Sequence, residues 1–147
     1  MNFKEYLLKT KEIANEEKEI LDILSQKKEL SKIEIRAVKN SLQVLIENLI
    51  GKSKRILKNY DSPIIPQRSK DAIVILYEVG AIGDELYHSL SNAIGFRNSM
   101  IYDYMKFDDN ILFKILRNRI YLDVYDFLID DAIYKNIIIQ RIKNYTY

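Results

Sequence analysis

The sequence predicts an all-α protein, an antiparallel bundle of about five helices, and three observations support this class. Apolar residues recur at spacings of three, four and seven, which is the periodicity of amphipathic helices. No stretch shows the sustained alternation of apolar and polar residues that indicates a strand. The 147 residues also include only four Gly and two Pro, so few positions interrupt a long helix.

Composition limits the kinds of site that the chain can carry. Hydrophobic residues make up 48% and charged residues 30%, which is typical of a globular chain, and we expect one domain over residues 1–147. The net charge of +2 is too small to indicate nucleic-acid binding by itself. Without cysteine, and with the single histidine His88, the chain lacks the ligands of a thiolate or histidine-based metal site, and no metal or cofactor is predicted.

The hydropathy pattern predicts a soluble, cytoplasmic protein. No apolar run approaches the roughly 18 residues that a membrane span requires. Charged residues interrupt the apolar positions of segment 1–9, which therefore lacks the core of a signal peptide.

Two long helices are predicted in the first 60 residues. Apolar residues of segment 2–26 fall on one helical face, and a polar break follows at residues 27–29. Ser31 and Glu34 fit a capping box, which begins a second helix that extends to about Tyr60. Because the connection is short, we expect these two helices to form an antiparallel pair.

Prolines and glycines set the bounds of the next helices. Segment 61–66 contains both prolines and is predicted to be a non-helical linker. A third helix is expected from about Ser69 to Gly80, a C-cap glycine. Gly83 and Asp84 can then cap a fourth helix.

The fourth helix is predicted to carry an arginine on its inward face. Leu86, Leu90, Ala93 and Arg97 are spaced by four, three and four residues, so Arg97 continues the apolar stripe. The alternative is an arginine at the end of an apolar face whose head group reaches the surface.

The rest of the chain is predicted to contain a fifth helix and an apolar tail. Asp108 is the expected N-cap, with Phe107 packed on Leu112 as a hydrophobic staple, and the apolar pattern extends as one helix to about residue 128. The tail, 137–147, is expected to continue as helix, and it either packs on its own domain or meets a partner.

A basic segment precedes the third helix. Between residues 51 and 70 there are six cations and one acidic residue, so Lys52, Lys54, Arg55 and Lys58 are candidates for binding the phosphates of a nucleic acid. The alternative is a solvated helix end whose cations lie near the negative end of the helix dipole.

The order of these helices, with Val79–Leu86 followed by Gly95-Phe96-Arg97-Asn98 and Tyr102-Asp103-Tyr104, resembles the HEPN superfamily. Within it, the chain is most similar to the HepT-like toxins of toxin–antitoxin pairs. The motif of that family is Arg-Asn, three variable residues, His, one variable residue and Tyr. The resemblance extends over nearly the whole chain.

The resemblance implies a symmetric homodimer in which two such motifs meet across a cleft and cut RNA without a metal ion. It also implies a partner, an MNT-type nucleotidyltransferase antitoxin that adds AMP to the last tyrosine of the motif. Carried over to this chain, Arg97 binds the scissile phosphate as a bidentate cation, Asn98 supports it, and Tyr104 is the tyrosine that is modified.

The chain departs from the motif at Tyr102, which occupies the histidine position, and no histidine follows Arg97. Metal-free RNA cleavage needs an acid and a base; histidine titrates near neutrality, whereas a tyrosine phenol titrates near pH 10. A nearby cation such as Arg97 would favour the phenolate. His88 lies nine residues before Arg97, on the opposite side of a continuous helix.

Three functions are therefore open. The first is a HepT-like ribonuclease toxin that either is weakly active or uses Tyr102 in an altered mechanism. The second is a catalytically inactive HEPN dimer that binds RNA or a nucleotide, or serves as the partner of the nucleotidyltransferase. The third is a helical interaction protein with no nucleic-acid role, and the basic segment favours the first two over it.

Overall fold

The computed structural model describes residues 1–147 and contains seven helices and no strand, so the predicted all-α class is confirmed. The helices are α1 (Phe3–Ser25), α2 (Lys32–Asn59), α3 (Asp71–Glu78), α4 (Asp84–Tyr102), α5 (Asp109–Arg117), α6 (Leu122–Ile129) and α7 (Asn136–Lys143).

The first two helices form the predicted antiparallel pair. Ser31 Oγ accepts a hydrogen bond from the Glu34 amide at 3.1 Å and the Glu34 carboxylate accepts one from the Ser31 amide at 2.9 Å, which confirms the capping box at the start of α2. Phe3, at the start of α1, contacts Tyr60 just after α2, with ring centroids 6.4 Å apart. At the other end of the pair, an ion pair between Lys27, just after α1, and Glu34, in the first turn of α2, joins the two helices.

Helix α2 is the centre of the bundle and contacts α1, α3, α4, α5 and α6. A single hydrophobic cluster of 27 buried residues includes side chains from all seven helices. This arrangement places one side of α4 directly against α2, and the candidate site lies at that contact.

The short helix α3 follows a non-helical segment that includes the predicted linker, residues 61–66. It ends one residue before the C-cap Val79, and Gly80 follows with a φ of +86°. The Ala81 amide closes the turn by donating to the Leu76 carbonyl at 2.8 Å. The predicted C-cap glycine is confirmed, since a left-handed backbone here favours a residue without a Cβ.

The predicted fifth helix is wrong in its extent, because the segment contains two helices, α5 and α6. Arg119 has a φ of +52°, which interrupts the helical hydrogen bonds between them. Its guanidinium lies 2.8 Å from Asp22 Oδ1 of α1, and Arg117 donates to the Ser25 carbonyl at 2.9 Å. These contacts hold the turn against the end of α1. Asp108 is the N-cap of α5, as predicted.

The apolar tail is helical only over α7, after an irregular segment at residues 130–135. Ile138 and Ile142 pack on the core, and Tyr145 Oη donates to Glu78 at 2.5 Å. Of the two alternatives for the tail, packing on its own domain is therefore observed. Ile133 and Ile137 nevertheless remain exposed.

Candidate functional site

Helix α4 carries the Arg-Asn-x-x-x-Tyr-x-Tyr segment at its C-terminal end. Arg97 and Asn98 lie in its last two turns, Tyr102 is its last residue, and Tyr104 lies in the turn that leads to α5. Asp103 is the C-cap and donates its amide to the Ser99 carbonyl at 3.0 Å.

Arg97 lies on the inward side of α4, as the apolar stripe predicts, and follows the fully buried Leu90 and Ile94. Its side chain is 19% exposed. Nη2 lies 3.4 Å from Oε1 of Glu47 on α2, and Nη1 donates to Asn98 Oδ1 at 3.1 Å. Nε is buried and has no partner. Since a guanidinium has five N–H donors, Arg97 retains donors for a further acceptor.

Asn98 is half-buried, and its amide oxygen accepts the bond from Nη1 of the neighbouring arginine. The contact limits the positions that the guanidinium can take. This geometry suits the supporting role that the resemblance implies for Asn98.

The two tyrosines of the segment project into solvent. Tyr102 is 75% exposed and Tyr104 is 71% exposed, and Met105 beside them is 83% exposed. Five residues at about 100° each place Tyr102 about 140° around the helix axis from Arg97. One copy of the chain therefore does not direct this phenol and the guanidinium at the same point.

The predicted basic segment does not form one surface. Lys52 is fully buried, and its ammonium donates to the carbonyls of Phe127, Leu128 and Asp130 at 2.6, 3.1 and 2.5 Å. Burial lowers the pKa of Lys52 to about 8, and the Asp130 carboxylate opposes the shift. The prediction that Lys52 contacts nucleic acid is wrong, because its charge caps the C-terminus of α6.

The other three cations of that segment have separate contacts. Lys54 donates to the Gln67 carbonyl at 3.0 Å, Arg55 donates to the Met1 carbonyl at 2.5 Å, and Lys58 is exposed. Their roles in binding nucleic acid remain predictions. The burial of Lys52 could have been predicted from the sequence, because Lys52 continues the apolar stripe of Leu45 and Leu49 along α2.

A cleft of about 800 Å³ lies beside the motif, and sequence reasoning missed it. Phe96 and Ser99 of α4, with the C-cap Asp103, form a wall of this cleft. The other lining residues come from α2 and from the α5–α6 region, and most are apolar: Leu42, Leu45, Ile46, Phe107, Ile111, Ile115, Ile120, Tyr121 and Val124.

His88 is exposed, and its Nδ1 lies 2.7 Å from the Asp84 carbonyl oxygen one turn earlier in α4. The prediction that it lies away from Arg97, as a surface residue, is confirmed. No group of three or more His, Asp or Glu side chains is arranged to hold a metal ion. None of the seven helices combines the length and the hydropathy that a membrane span requires.

The fold and the site define an α-helical bundle with an Arg-Asn pair near the end of its fourth helix. The family model described as "Ribonuclease HepT-like" matches residues 4–142, which is nearly the whole chain. The chain therefore belongs to the HepT-like ribonuclease family. No curated protein matches it.

Solved structures share the fold at low sequence identity. A crystal structure described as a toxin–antitoxin with AMP-PNP has a TM-score of 0.74 and 18% identity, over 94% of this chain and 99% of the other. A tri-AMPylated Shewanella oneidensis HEPN toxin, in complex with its MNT antitoxin, has a TM-score of 0.74 and 19% identity, over 87% and 96%. YutE, a cytosolic protein of unknown function from Bacillus subtilis, has a TM-score of 0.66 and 17% identity, over 82% and 83%.

Proposed function

We propose that this protein is the toxin of a toxin–antitoxin pair, a metal-independent endoribonuclease that acts as a symmetric homodimer. Family membership over residues 4–142 is the main support. The assignment of this function to the α4 site is supported by the half-buried Arg97 guanidinium, which lies near the end of α4 and retains unused hydrogen-bond donors. An arginine of this kind can bind the scissile phosphate and stabilise its developing charge.

The dimer is part of the proposal because the site is incomplete in one chain. Arg97 and Tyr102 point about 140° apart around the α4 axis, so a second copy is needed to bring a phenol to the guanidinium. In this arrangement Asn98 supports Arg97, and Tyr102 takes the histidine position as a proton donor. A phenol keeps its proton at neutral pH and so suits that role better than the role of base.

The proposed antitoxin is an MNT-type nucleotidyltransferase, and the proposed site of its AMP transfer is Tyr104. Two observations support this choice. The similar Shewanella oneidensis HEPN toxin is AMPylated and in complex with an MNT antitoxin. The Tyr104 side chain is 71% exposed, so an enzyme can reach its hydroxyl. Transfer of AMP there would add negative charge near Arg97 and weaken the binding of RNA.

One comparison tests the nuclease: cleavage of single-stranded RNA by the wild-type protein, by Arg97→Ala and by Tyr102→His. We expect the wild-type protein to cleave and Arg97→Ala to lose at least about 100-fold in rate, as for the loss of a charge-stabilising donor. Expression should inhibit growth, and co-expression of a nucleotidyltransferase encoded beside the gene should relieve the inhibition.

The presence of Tyr102 at the histidine position favours a second candidate function. In this case the protein is a catalytically inactive HEPN dimer that binds RNA or the antitoxin. Tyr102 replaces the usual acid–base group of the motif. In that case only Tyr102→His cleaves RNA, while the wild-type protein retains binding to a nuclease-resistant 2′-O-methyl RNA.

A further inference from the structure

Glu47, on α2, is the only acidic side chain that contacts the candidate arginine. Its Oε1 lies 3.4 Å from Arg97 Nη2, although 50 residues separate the two in sequence. The Glu47 side chain is 45% exposed, whereas that of Arg97 is 19% exposed. The solvent-accessible carboxylate of Glu47 therefore lies beside the half-buried guanidinium of Arg97.

The contacts of Glu47 leave one of its oxygens free. Gln43 Nε2, one turn earlier on α2, donates to Oε1 at 3.1 Å, so Oε1 faces both this amide and Arg97. Oε2 accepts no hydrogen bond from the chain. The carboxylate is held in place through one oxygen, while the other can accept a proton.

We propose that Glu47 is the general base that the motif lacks at Tyr102, an inference that rests on the proposed ribonuclease function. A carboxylate is already in its basic form at neutral pH, whereas a phenol is not. A phosphate bound by Arg97 lies next to the carboxylate, which brings the adjacent ribose 2′-hydroxyl within reach of Oε2. The guanidinium also offsets the repulsion between the carboxylate and the phosphate.

The step balances with groups that the chain and solvent supply. Oε2 takes the proton of the 2′-hydroxyl, and the 2′-oxygen forms a bond to phosphorus. The bond from phosphorus to the 5′-oxygen breaks, and this oxygen leaves with the electron pair and takes the proton of the Tyr102 hydroxyl, which regains a proton from water. The products are a 2′,3′-cyclic phosphate and a 5′-hydroxyl, and Glu47 returns its proton to solvent.

A different role for Glu47, as a counter-ion that only holds Arg97, predicts the opposite result. Removal of a counter-ion frees the guanidinium and strengthens phosphate binding. Removal of a general base leaves binding intact and slows the chemical step by about 100-fold or more. Rate and affinity together therefore separate the two roles.

The experiment uses a fluorescently labelled single-stranded RNA of mixed sequence and its 2′-O-methyl analogue, which binds but has no 2′-hydroxyl. The proteins are wild type, Arg97→Ala, Glu47→Gln and Glu47→Asp. Glu19→Gln is the matched control, because it removes the same charge from an exposed position on α1. Urea unfolding of each variant verifies that it is folded.

We expect Glu47→Gln to lose about 100-fold or more in the cleavage rate, with unchanged affinity for the analogue, and Glu47→Asp to retain more activity than Glu47→Gln. The wild-type product should end in a 2′,3′-cyclic phosphate by mass spectrometry. If Glu47→Gln cleaves at the wild-type rate or faster while Arg97→Ala is inactive, this inference is overturned and the ribonuclease function stands. If the wild-type protein cleaves no RNA, both are overturned.

Discussion

Two cations lie on the inward faces of their helices, and their contacts differ in kind. Lys52 is fully buried and donates to three carbonyls, which is the full donor capacity of an ammonium. Arg97 is bound by one carboxylate and one amide oxygen and keeps a buried Nε without a partner. A satisfied cation indicates a structural role, whereas one with spare donors indicates a binding role.

The structural role of Lys52 predicts a large loss of stability on substitution. Lys52→Met keeps an apolar stem but leaves the carbonyls of Phe127, Leu128 and Asp130 without their donor, so we expect a loss of about 3 kcal/mol in the free energy of unfolding. Lys58→Met, at an exposed position of the same helix, should change it by less than about 0.5 kcal/mol. Urea unfolding measures both, and a stable Lys52→Met protein with weakened RNA binding would contradict the assignment.

Asp22 predicts how stability depends on pH. Burial raises the pKa of this carboxyl, but hydrogen bonds from Lys18, Tyr121 and Arg119 outweigh burial and lower the pKa to about 2. Since the folded pKa is below the ordinary value of 3.8, the unfolded chain binds the proton more readily. The stabilisation is complete above about pH 5 and is lost as the pH falls towards 2.

The measurement is the difference in the free energy of unfolding between wild type and Asp22→Asn across that range. We expect a difference of about 1–2 kcal/mol at neutral pH, from the lost charge-assisted hydrogen bonds, that shrinks in acid. A difference that stays constant down to about pH 2 would show that the charge of Asp22 contributes nothing.

At the scale of elements, the sequence correctly predicted those helix ends that are determined by adjacent residues. The capping box at Ser31 and the left-handed Gly80 each depend on a few adjacent residues, so their positions could be identified from the chain alone. The break between α5 and α6 depends instead on Arg119 and Asp22, which are 97 residues apart. No local pattern could reveal that contact, and the apolar periodicity continued through the break.

Some residues of the candidate site could likewise be identified from the sequence, and others could not. The family motif located Arg97, Asn98, Tyr102 and Tyr104, and the apolar stripe predicted the inward direction of the arginine. Glu47 could not be identified, because it approaches Arg97 only through the packing of α2 against α4. Lys52 was assigned to the wrong role because a count of charges ignores which face of the helix carries them.

Two glycines give a matched test of the helix boundaries. A Cβ at Gly80 would lie 3.2 Å from Ile138 Cδ1, on a backbone with a φ of +86°, so Gly80→Ala should cost about 1–2 kcal/mol. Gly95 lies inside α4, and its nearest neighbour, Lys70 Nζ, is 3.6 Å from the added Cβ, an ordinary contact. Gly95→Ala should therefore stabilise by up to about 1 kcal/mol. Thermal unfolding shows the two signs, and a stabilised Gly80→Ala would contradict the role of that turn.

At the scale of the whole molecule, the proposed chemistry depends on a second copy. Helix α4 presents Arg97 to α2 and Tyr102 to solvent, and the exposed Tyr102, Tyr104 and Met105 form an apolar patch. A twofold axis near this patch would bury it and direct each phenol at the guanidinium of the other copy. Each of the two sites would then use Arg97 from one chain and Tyr102 from the other.

Mixed dimers test this arrangement, because Arg97→Ala and Tyr102→Phe are each inactive as pure dimers if both groups are needed. In a mixed dimer, one site lacks both groups and the other has Arg97 and Tyr102 intact. Random exchange of equal amounts makes half of the dimers mixed, so about one quarter of the wild-type activity should return. If each site took both groups from one chain, every site in the mixture would lack one of them and no activity would return. The assay is RNA cleavage before and after the two variants are unfolded and refolded together, with each variant refolded alone as the control.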